Sequence, residues 1–192
     1  MLAIPLSIWV KRSLGERFNA IPPRGGQQLT VPAIATPHYL QRDSRWENET
    51  IGGSGERLGR VVCTLCSLVM ALHHYGAETT PKDLNDYLKR SNGYTIRGWL
   101  RWDSVSGFTG GKVAMDYVGR PGFDRIDAAL KNNHPVIAKV YINGVVPHWV
   151  LIVGKDGNEY LMRDPLGDGR TVRRVSDYDS RIYAIRTLKR GG

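Results

Sequence analysis

The sequence predicts an α+β fold, because its helical patterns precede Pro135 and its strand patterns follow it. The clearest helical pattern begins at Cys63, where apolar residues recur at i, i+3, i+4 and i+7: Leu65, Leu68, Val69 and Leu72. After Pro135, short apolar runs separated by turn residues indicate antiparallel strands. Helices followed by a strand meander are typical of the α+β class, so we expect helices packed on an antiparallel sheet.

Capping residues predict where the helices begin and end. Gly76 should end the first helix, since glycine is favoured just after a helix C-terminus. Thr80 and Pro81 suit the N-cap and first position of a second helix, which should reach residue 88 or 89. A third helix is predicted over residues 123–132, from the shared face of Ile126, Ala129 and Leu130.

Four strands are predicted in the second part of the chain. They cover residues 136–142, 149–155, 160–163 and 182–188. Asp156-Gly157 lies between the second and third strands and predicts a tight hairpin turn. The second and third strands should therefore lie side by side.

A single domain with an N-terminal extension is predicted. The chain has 192 residues and 41% hydrophobic content, enough for one domain with its own core. Residues 20–37 are rich in proline and glycine, which indicates a linker or an extended arm. We therefore place the extension at residues 1–37 and the domain at residues 38–192. Whether the extension is a propeptide, a linker or an anchor stays open.

The N-terminus carries no recognisable targeting segment. Met1 to Val10 is apolar but contains Pro5, lacks a basic region before it and has no small-residue cleavage site after it. It is also too short to span a bilayer. We expect this segment to pack on the domain or to be disordered. The compartment is not readable, and either the bacterial cytoplasm or export without a signal peptide would fit.

The chain is strongly basic, with a formal net charge of +9 and a pI near 9.8. Such a charge would favour an acidic partner. However, the basic residues are mostly scattered and no nucleic-acid-binding motif accompanies them, which favours a solvated surface. We expect no nucleic-acid partner, and a monomer.

Three residues have the order and settings required for thiol catalysis. The chain has two cysteines, Cys63 and Cys66, so a disulfide framework is excluded. Cys63 opens a helix, whose positive end stabilises a thiolate over a thiol, and the thiolate is the nucleophile. His148 opens the apolar run of the second strand and Asp164 closes the third. Two paired strands would thus carry a base and the group that orients it.

Several separated pieces of the chain resemble the papain-fold bacterial family related to bacteriocin-processing leader peptidases. They are Tyr39 to Trp46, Cys63 to Gly76, Thr80 to Asn85, Pro135 to Ile137, His148 to Gly154, and Asp164-Pro165. The resemblance extends from about Pro37 to Leu188. It implies a papain-like fold and a cysteine peptidase that hydrolyses a peptide or isopeptide bond in a peptide or protein substrate, without cofactor or metal.

The resemblance also implies a role for each matching residue. Cys63 would be the nucleophile, His148 the general base and then acid, and Asp164 the residue that orients the imidazole. Gln41 would donate its side-chain amide to the oxyanion, which thiol acyl transfer requires in any case. One departure is Val62, which stands where the family usually has glycine before the nucleophile. Its β-branched side chain would narrow the cleft or restrict the backbone that presents the oxyanion hole.

Alternatives remain for the function and for single residues. The domain could bind without catalysis, or act as a toxin or effector that cleaves, deamidates or acylates one protein. Cys63 and Cys66 could form a redox pair, although the expected preceding strand is lacking. A metal site at Cys63, Cys66, His73 and His74 is disfavoured by spacing along one helix. Asp168 fits a turn better than a cation loop, and Trp149 is placed to shield the catalytic pair.

Overall fold

The computed structural model describes residues 15–51 and 62–192. The predicted packing or disorder of Met1 to Val10 therefore lies outside the described residues. Within them, the elements follow the order β1 (Arg24–Val31), α1 (Val62–His74), α2 (Pro81–Arg90), α3 (Ser104–Phe108), β2 (Val113–Gly119), α4 (Phe123–Lys131), β3 (Val136–Ile142), β4 (Val146–Arg163), β5 (Arg173–Arg174), a 3-10 helix (Val175–Tyr178) and β6 (Ala184–Arg190).

One antiparallel sheet organises the described chain. Its strand order is β1-β4-β3-β6-β2, and β5 pairs with the C-terminal end of β4. Helix α1 packs on β4 and β3, and α2 packs on α1. The α+β class is confirmed. The predicted strands over residues 149–155 and 160–163 both lie within β4, and β2 was not predicted.

Helix α1 is buried on every side. All of its residues from Val62 to Leu72 are buried, although the sequence predicted one apolar face only. An all-round apolar helix is the pattern of a central helix enclosed by other elements. Its C-terminus closes as predicted. Gly76 has φ +83°, and the N–H of Ala77 donates to the carbonyl of Leu72 at 3.1 Å.

Helix α2 has the predicted cap at its N-terminus. The Thr80 hydroxyl accepts a hydrogen bond from the N–H of Asp83 at 3.2 Å, and the Asp83 carboxylate accepts one from the N–H of Thr80 at 3.1 Å. Pro81 is the first helical residue, where no N–H is needed. The helix extends to Arg90, slightly beyond the predicted end.

The chain reverses its direction within β4. By its hydrogen bonds, the backbone is classed as a single strand from Val146 to Arg163. Yet Nε2 of His148 lies 2.8 Å from Oδ1 of Asp164, which is 16 residues away. A straight strand of that length would span about 50 Å. The segment must therefore fold back, and Gly157, with φ +62°, lies midway along it, in the Asp156-Gly157 pair predicted to turn.

A second turn, which the sequence analysis did not identify, joins β3 to β4. Asn143 and Gly144 have φ values of 50° and 72°, and the N–H of Val145 donates to the carbonyl of Ile142 at 3.2 Å. Two central residues with positive φ are the geometry that Asn-Gly favours in hairpins. The signal was therefore present in the sequence.

The predicted arm is hydrogen bonded into the sheet over its described part. Strand β1 pairs antiparallel with β4, from Arg24 opposite Glu159 to Val31 opposite Lys155. On either side, Ile21 exchanges two backbone hydrogen bonds with Ile182, and the N–H of Ile34 donates to the carbonyl of Val153. Residues 20–37, which the sequence predicts to be a linker or an extended arm, thus contain the edge strand β1. The domain boundary at residue 38 stays a prediction.

A buried ion pair holds the start of this arm. Lys155 Nζ donates to Oδ1 of Asp127 at 2.6 Å and to the carbonyl of Gly25 at 2.8 Å. Asp127 also accepts hydrogen bonds from the Tyr160 hydroxyl at 2.9 Å and from the N–H of Gln27 at 2.7 Å. The Lys155 and Asp127 side chains are 0% and 1% exposed. We call Asp127, Lys155 and Tyr160 the arm anchor.

We expect Gly26→Ala to destabilise the protein through the arm anchor. Gly26 has φ +73°, and an added Cβ would lie 2.4 Å from Oδ2 of Asp127. The left-handed backbone alone costs about 1–2 kcal/mol for a residue with a side chain. Gly76→Ala is the matched control, because Gly76 has φ +83° but no atom within 4 Å of an added Cβ. Urea denaturation should show the larger loss for Gly26→Ala, and equal losses would contradict the clash.

Candidate active site

Cys63 lies in the first turn of α1. It is the second residue of this helix and is 5% exposed. The unpaired N–H groups and the dipole of a helix N-terminus favour negative charge at this place. Val62, just before it, is fully buried and belongs to the hydrophobic core. The β-branched side chain of Val62 therefore packs inside the domain.

His148 and Asp164 come together because β4 folds back between them. His148 is near the start of β4 and Asp164 follows its last residue, Arg163. The hydrogen bond between Nε2 and Oδ1 measures 2.8 Å, and the two side chains are 2% and 0% exposed. The imidazole also hydrogen bonds to Cys63. Since Nε2 is engaged by Asp164, Nδ1 is the ring nitrogen left for the thiol.

Four donors surround the Asp164 carboxylate. Oδ1 accepts from His148 and from the N–H of Leu166 at 2.9 Å. Oδ2 accepts from Nη1 of Arg173 at 2.9 Å and from the hydroxyl of Tyr178 at 2.6 Å. A carboxylate offers about four acceptor sites, so every oxygen lone pair has a donor. Asp164 is therefore held in one orientation as a buried anion.

These contacts shift the pKa values of His148 and Asp164. Burial works to lower the pKa of His148, but hydrogen bonds to Asp164 and Cys63 outweigh it and raise the pKa to about 9. Burial works to raise the pKa of Asp164, but hydrogen bonds from His148 and Tyr178 outweigh it and lower the pKa. At neutral pH the arrangement thus holds an imidazolium between a carboxylate and the Cys63 sulfur.

Gln41 is placed by a loop that is fixed to the segment after Asp164. Its N–H donates to the carbonyl of Pro165 at 2.9 Å, and the residue is 8% exposed. The indole N–H of the buried Trp46 donates to the carbonyl of Leu40 at 2.9 Å, which closes this loop on itself. The structure thereby brings Gln41 beside the residues that follow Asp164.

Cys66 and Ser67, which follow Cys63 on α1, have structural roles. Cys66 is fully buried, and this burial, with the charges of Cys63 and Asp43, raises the pKa of its thiol well above the ordinary value. Such a thiol is a poor nucleophile at neutral pH. Ser67 donates to the carbonyl of Trp149 at 3.1 Å, and so ties α1 to the strand residue next to His148.

Two further sequence expectations concern residues near this site. Trp149 does not cover the imidazole, because consecutive strand residues point to opposite faces and Trp149 packs on Trp102 with ring centroids 5.4 Å apart. Tyr178 takes this place, with its ring centroid 5.5 Å from that of His148. Asp168 forms the expected turn and accepts hydrogen bonds from the N–H groups of Arg170 and Thr171.

Arg173 and Tyr178 belong to the site but were not predicted from the sequence. Both lie within 15 residues of Asp164 in sequence, but no spacing rule links a basic residue or a tyrosine there to a carboxylate. The residues described here contain no group of three or more His, Cys, Asp or Glu side chains that could hold a metal ion. No helix among them is long and apolar enough to cross a bilayer.

A helix that presents a cysteine at its N-terminus, packed on an antiparallel sheet that presents a histidine and an acid, defines a papain-like cysteine peptidase. The profile of the Peptidase C39 family matches residues 60–181, which is more than half of the chain. The chain belongs to the Peptidase C39 family. It is therefore a cysteine peptidase and acts on peptide substrates.

A solved structure shares the fold. A protein described as a C39-like peptidase from Bacillus anthracis is similar with a TM-score of 0.50 and 16% sequence identity. The similarity covers 85% of this chain and 100% of the other. No curated protein sequence matches the chain. The resemblance inferred from the sequence motifs and the papain-like fold are thus confirmed.

Proposed function

We propose that this peptidase cleaves an amide bond through Cys63, His148 and Asp164, with Gln41 as a donor to the oxyanion. The observation that carries the proposal is the 2.8 Å hydrogen bond between buried His148 and Asp164, on an imidazole that also hydrogen bonds to Cys63. A thiol, a base within reach and an acid that orients the base are the parts that nucleophilic catalysis requires.

The contacts support the following sequence of steps. The Cys63 thiolate attacks the carbonyl carbon, and the oxyanion that forms accepts hydrogen bonds from the Cys63 N–H and the Gln41 amide. The intermediate collapses as the His148 imidazolium protonates the leaving amine, which yields a thioester. His148 then takes a proton from water as the water attacks the thioester. The acid product leaves, and the thiolate and imidazolium are restored.

The resting charge state fits the first of these steps. A pKa of about 9 for His148 keeps the imidazole protonated at neutral pH, ready to deliver its proton. Asp164 stays ionised because its pKa is lowered. The imidazole is held by Nε2, so the proton on Nδ1 faces the sulfur and the leaving group.

We expect iodoacetamide at pH 6 to label Cys63 selectively. Intact-mass spectrometry should show one rapid adduct, lost in Cys63→Ala and retained in Cys66→Ala, since a thiolate reacts and a buried thiol does not. Slow, equal labelling at both cysteines would overturn the proposal. Peptide cleavage is scored on a mixture of tryptic peptides, in which new termini should appear with the wild type and not with Cys63→Ala.

We expect Gln41→Ala to lower the rate of peptide cleavage by about 10²–10³-fold, as for loss of one oxyanion donor elsewhere. Labelling of Cys63 should stay near the wild-type rate, because alkylation by iodoacetamide forms no oxyanion. The control is Gln28→Ala, which removes an exposed glutamine amide on β1. If Gln41→Ala instead lowered cleavage and labelling equally, the role of Gln41 would be to maintain the structure of its loop.

A further inference from the structure

The Asp164 carboxylate is held from the side away from His148. The two donors to Oδ2 come from β5 and from the 3-10 helix that follows it: Arg173 at 2.9 Å and Tyr178 at 2.6 Å. Burial and the bond to Asp164 raise the pKa of Tyr178, so its hydroxyl keeps its proton and donates. Both donors contact the carboxylate that orients the imidazole in the proposed mechanism.

Arg173 also balances the charge of the buried carboxylate. Its side chain is 35% exposed, whereas that of Asp164 is 0% exposed. With Cys63 and His148 ionised, the charges of the four groups cancel. In the thioester, where the sulfur is acylated and His148 is neutral, Asp164 and Arg173 still cancel. Without Arg173, the buried Asp164 carboxylate would therefore carry an uncompensated charge in the thioester.

We propose that Arg173 and Tyr178 are positioning residues that fix Asp164 for its contact with His148. This inference rests on the function proposed above for Cys63, His148 and Asp164. A carboxylate bound through all its acceptor sites cannot rotate away from the imidazole, so Oδ1 stays at hydrogen-bond distance from Nε2. Loss of either Oδ2 donor releases one side of the carboxylate and loosens this contact.

The titratable and charged groups that face this pair come from four elements. They are Cys63 on α1, Arg173 on β5, Tyr178 and Asp177 on the 3-10 helix, and His38 in the segment after β1. Asp177 lies 3.5 Å from Nε of Arg173, and Nε2 of His38 hydrogen bonds to the backbone carbonyl of Asp164 at 2.8 Å. Only Arg173 and Tyr178 contact the carboxylate from the side away from the imidazole.

The test is the pH profile of peptide cleavage, scored on the tryptic-peptide mixture between pH 4 and pH 10, in Tyr178→Phe, Arg173→Met and Arg173→Lys. In the wild type the upper limb should fall near pH 9, where the His148 imidazolium is lost. In Tyr178→Phe and Arg173→Met the rate of cleavage on the plateau should fall by about 5–30-fold, because the imidazole is no longer held in line with the sulfur and the leaving amine. Arg173→Lys, which keeps the charge, should recover most of that loss.

Matched controls remove the same groups nearby. Arg174→Met deletes the neighbouring guanidinium, which pairs with Asp156 at 3.9 Å on the surface, and Tyr183→Phe deletes another tyrosine hydroxyl. Both should match the wild-type profile. Tyr178→Phe retains the ring, and a thermal melt by circular dichroism verifies that each variant is folded.

The possible results distinguish failure of the positioning role from failure of the proposed function. If wild-type Cys63 is not labelled selectively, the proposed function fails, and this inference with it. If the wild type is labelled selectively but the rate of cleavage in both Tyr178→Phe and Arg173→Met stays at the wild-type value, the positioning role alone is overturned. A lower melting temperature with an unchanged rate of cleavage per folded protein has the same meaning, since a purely structural role would give that result.

Discussion

His148→Ala should lower the rate of peptide cleavage by about 10²–10⁴-fold, the usual contribution of a positioned acid and base. The reason is that, in the proposed mechanism, His148 both stabilises the ionised thiol and delivers the proton to the leaving amine. Labelling of Cys63 at pH 6 should fall as well, because no imidazolium then faces the sulfur. In the wild type, labelling should persist from pH 6 upward, whereas the rate of peptide cleavage should fall near pH 9, where the imidazole loses the proton that the leaving amine needs.

The control for this prediction is His134→Ala. His134 hydrogen bonds to the Tyr75 hydroxyl at 3.0 Å and stacks on its ring, in contacts that do not involve Cys63 or Asp164. Cleavage and labelling should therefore stay near wild type in His134→Ala when both proteins are compared at equal folded concentration. Wild-type rates of cleavage in His148→Ala would refute its role as acid and base.

Asp127→Ala should cost about 3–5 kcal/mol of the free energy of unfolding, since it leaves the Lys155 ammonium buried without its carboxylate. The side chains of the pair are 0% and 1% exposed, and so solvent cannot replace the lost partner. The Tyr160 hydroxyl and the N–H of Gln27 also lose their acceptor. The measurement is urea denaturation followed by circular dichroism.

A double variant separates the pair from its surroundings. Asp127→Leu combined with Lys155→Met removes both charges, and apolar replacements of a buried pair are often tolerated. It should therefore lose less stability than Asp127→Ala alone. Asp156→Ala serves as the surface control, because its pair with Arg174 at 3.9 Å is largely exposed and should contribute within about 1 kcal/mol. A loss in Asp127→Ala no larger than in this control would contradict the prediction.

Local signals in the sequence predicted helices α1, α2 and α4, but not α3, and the three residues that the structure brings together. The caps at Thr80 and Gly76 are short-range features, decided by neighbouring residues, and they are found as predicted. Cys63 and His148 were identified because a thiol at a helix N-terminus and a histidine at the start of an apolar strand are recognisable in sequence. Their assembly into a catalytic triad stays a proposal.

Long-range contacts explain what the sequence did not reveal. A stretch rich in proline and glycine indicates a linker, and its pairing with β4 depends on a strand more than a hundred residues later. The donors Arg173 and Tyr178 reach Asp164 only through the turn after β4. In the same way, Asp127 and Lys155 are ordinary charged residues in sequence, and only the docking of β1 and α4 buries them.

The reversal of β4 links the N-terminal arm to the chemistry. His148 and Asp164, the base and the orienting acid of the proposed mechanism, lie at the two ends of one folded segment. The middle of that segment, from Lys155 to Glu159, is paired with β1. A chain trimmed to residues 60–181, the part that the family profile matches, would lack β1, β6 and Gln41. Such a fragment would retain Cys63, His148 and Asp164 yet lose the strand that spans the reversal between the last two. We therefore expect the smallest unit able to carry out the proposed reaction to be larger than the segment that identifies the family.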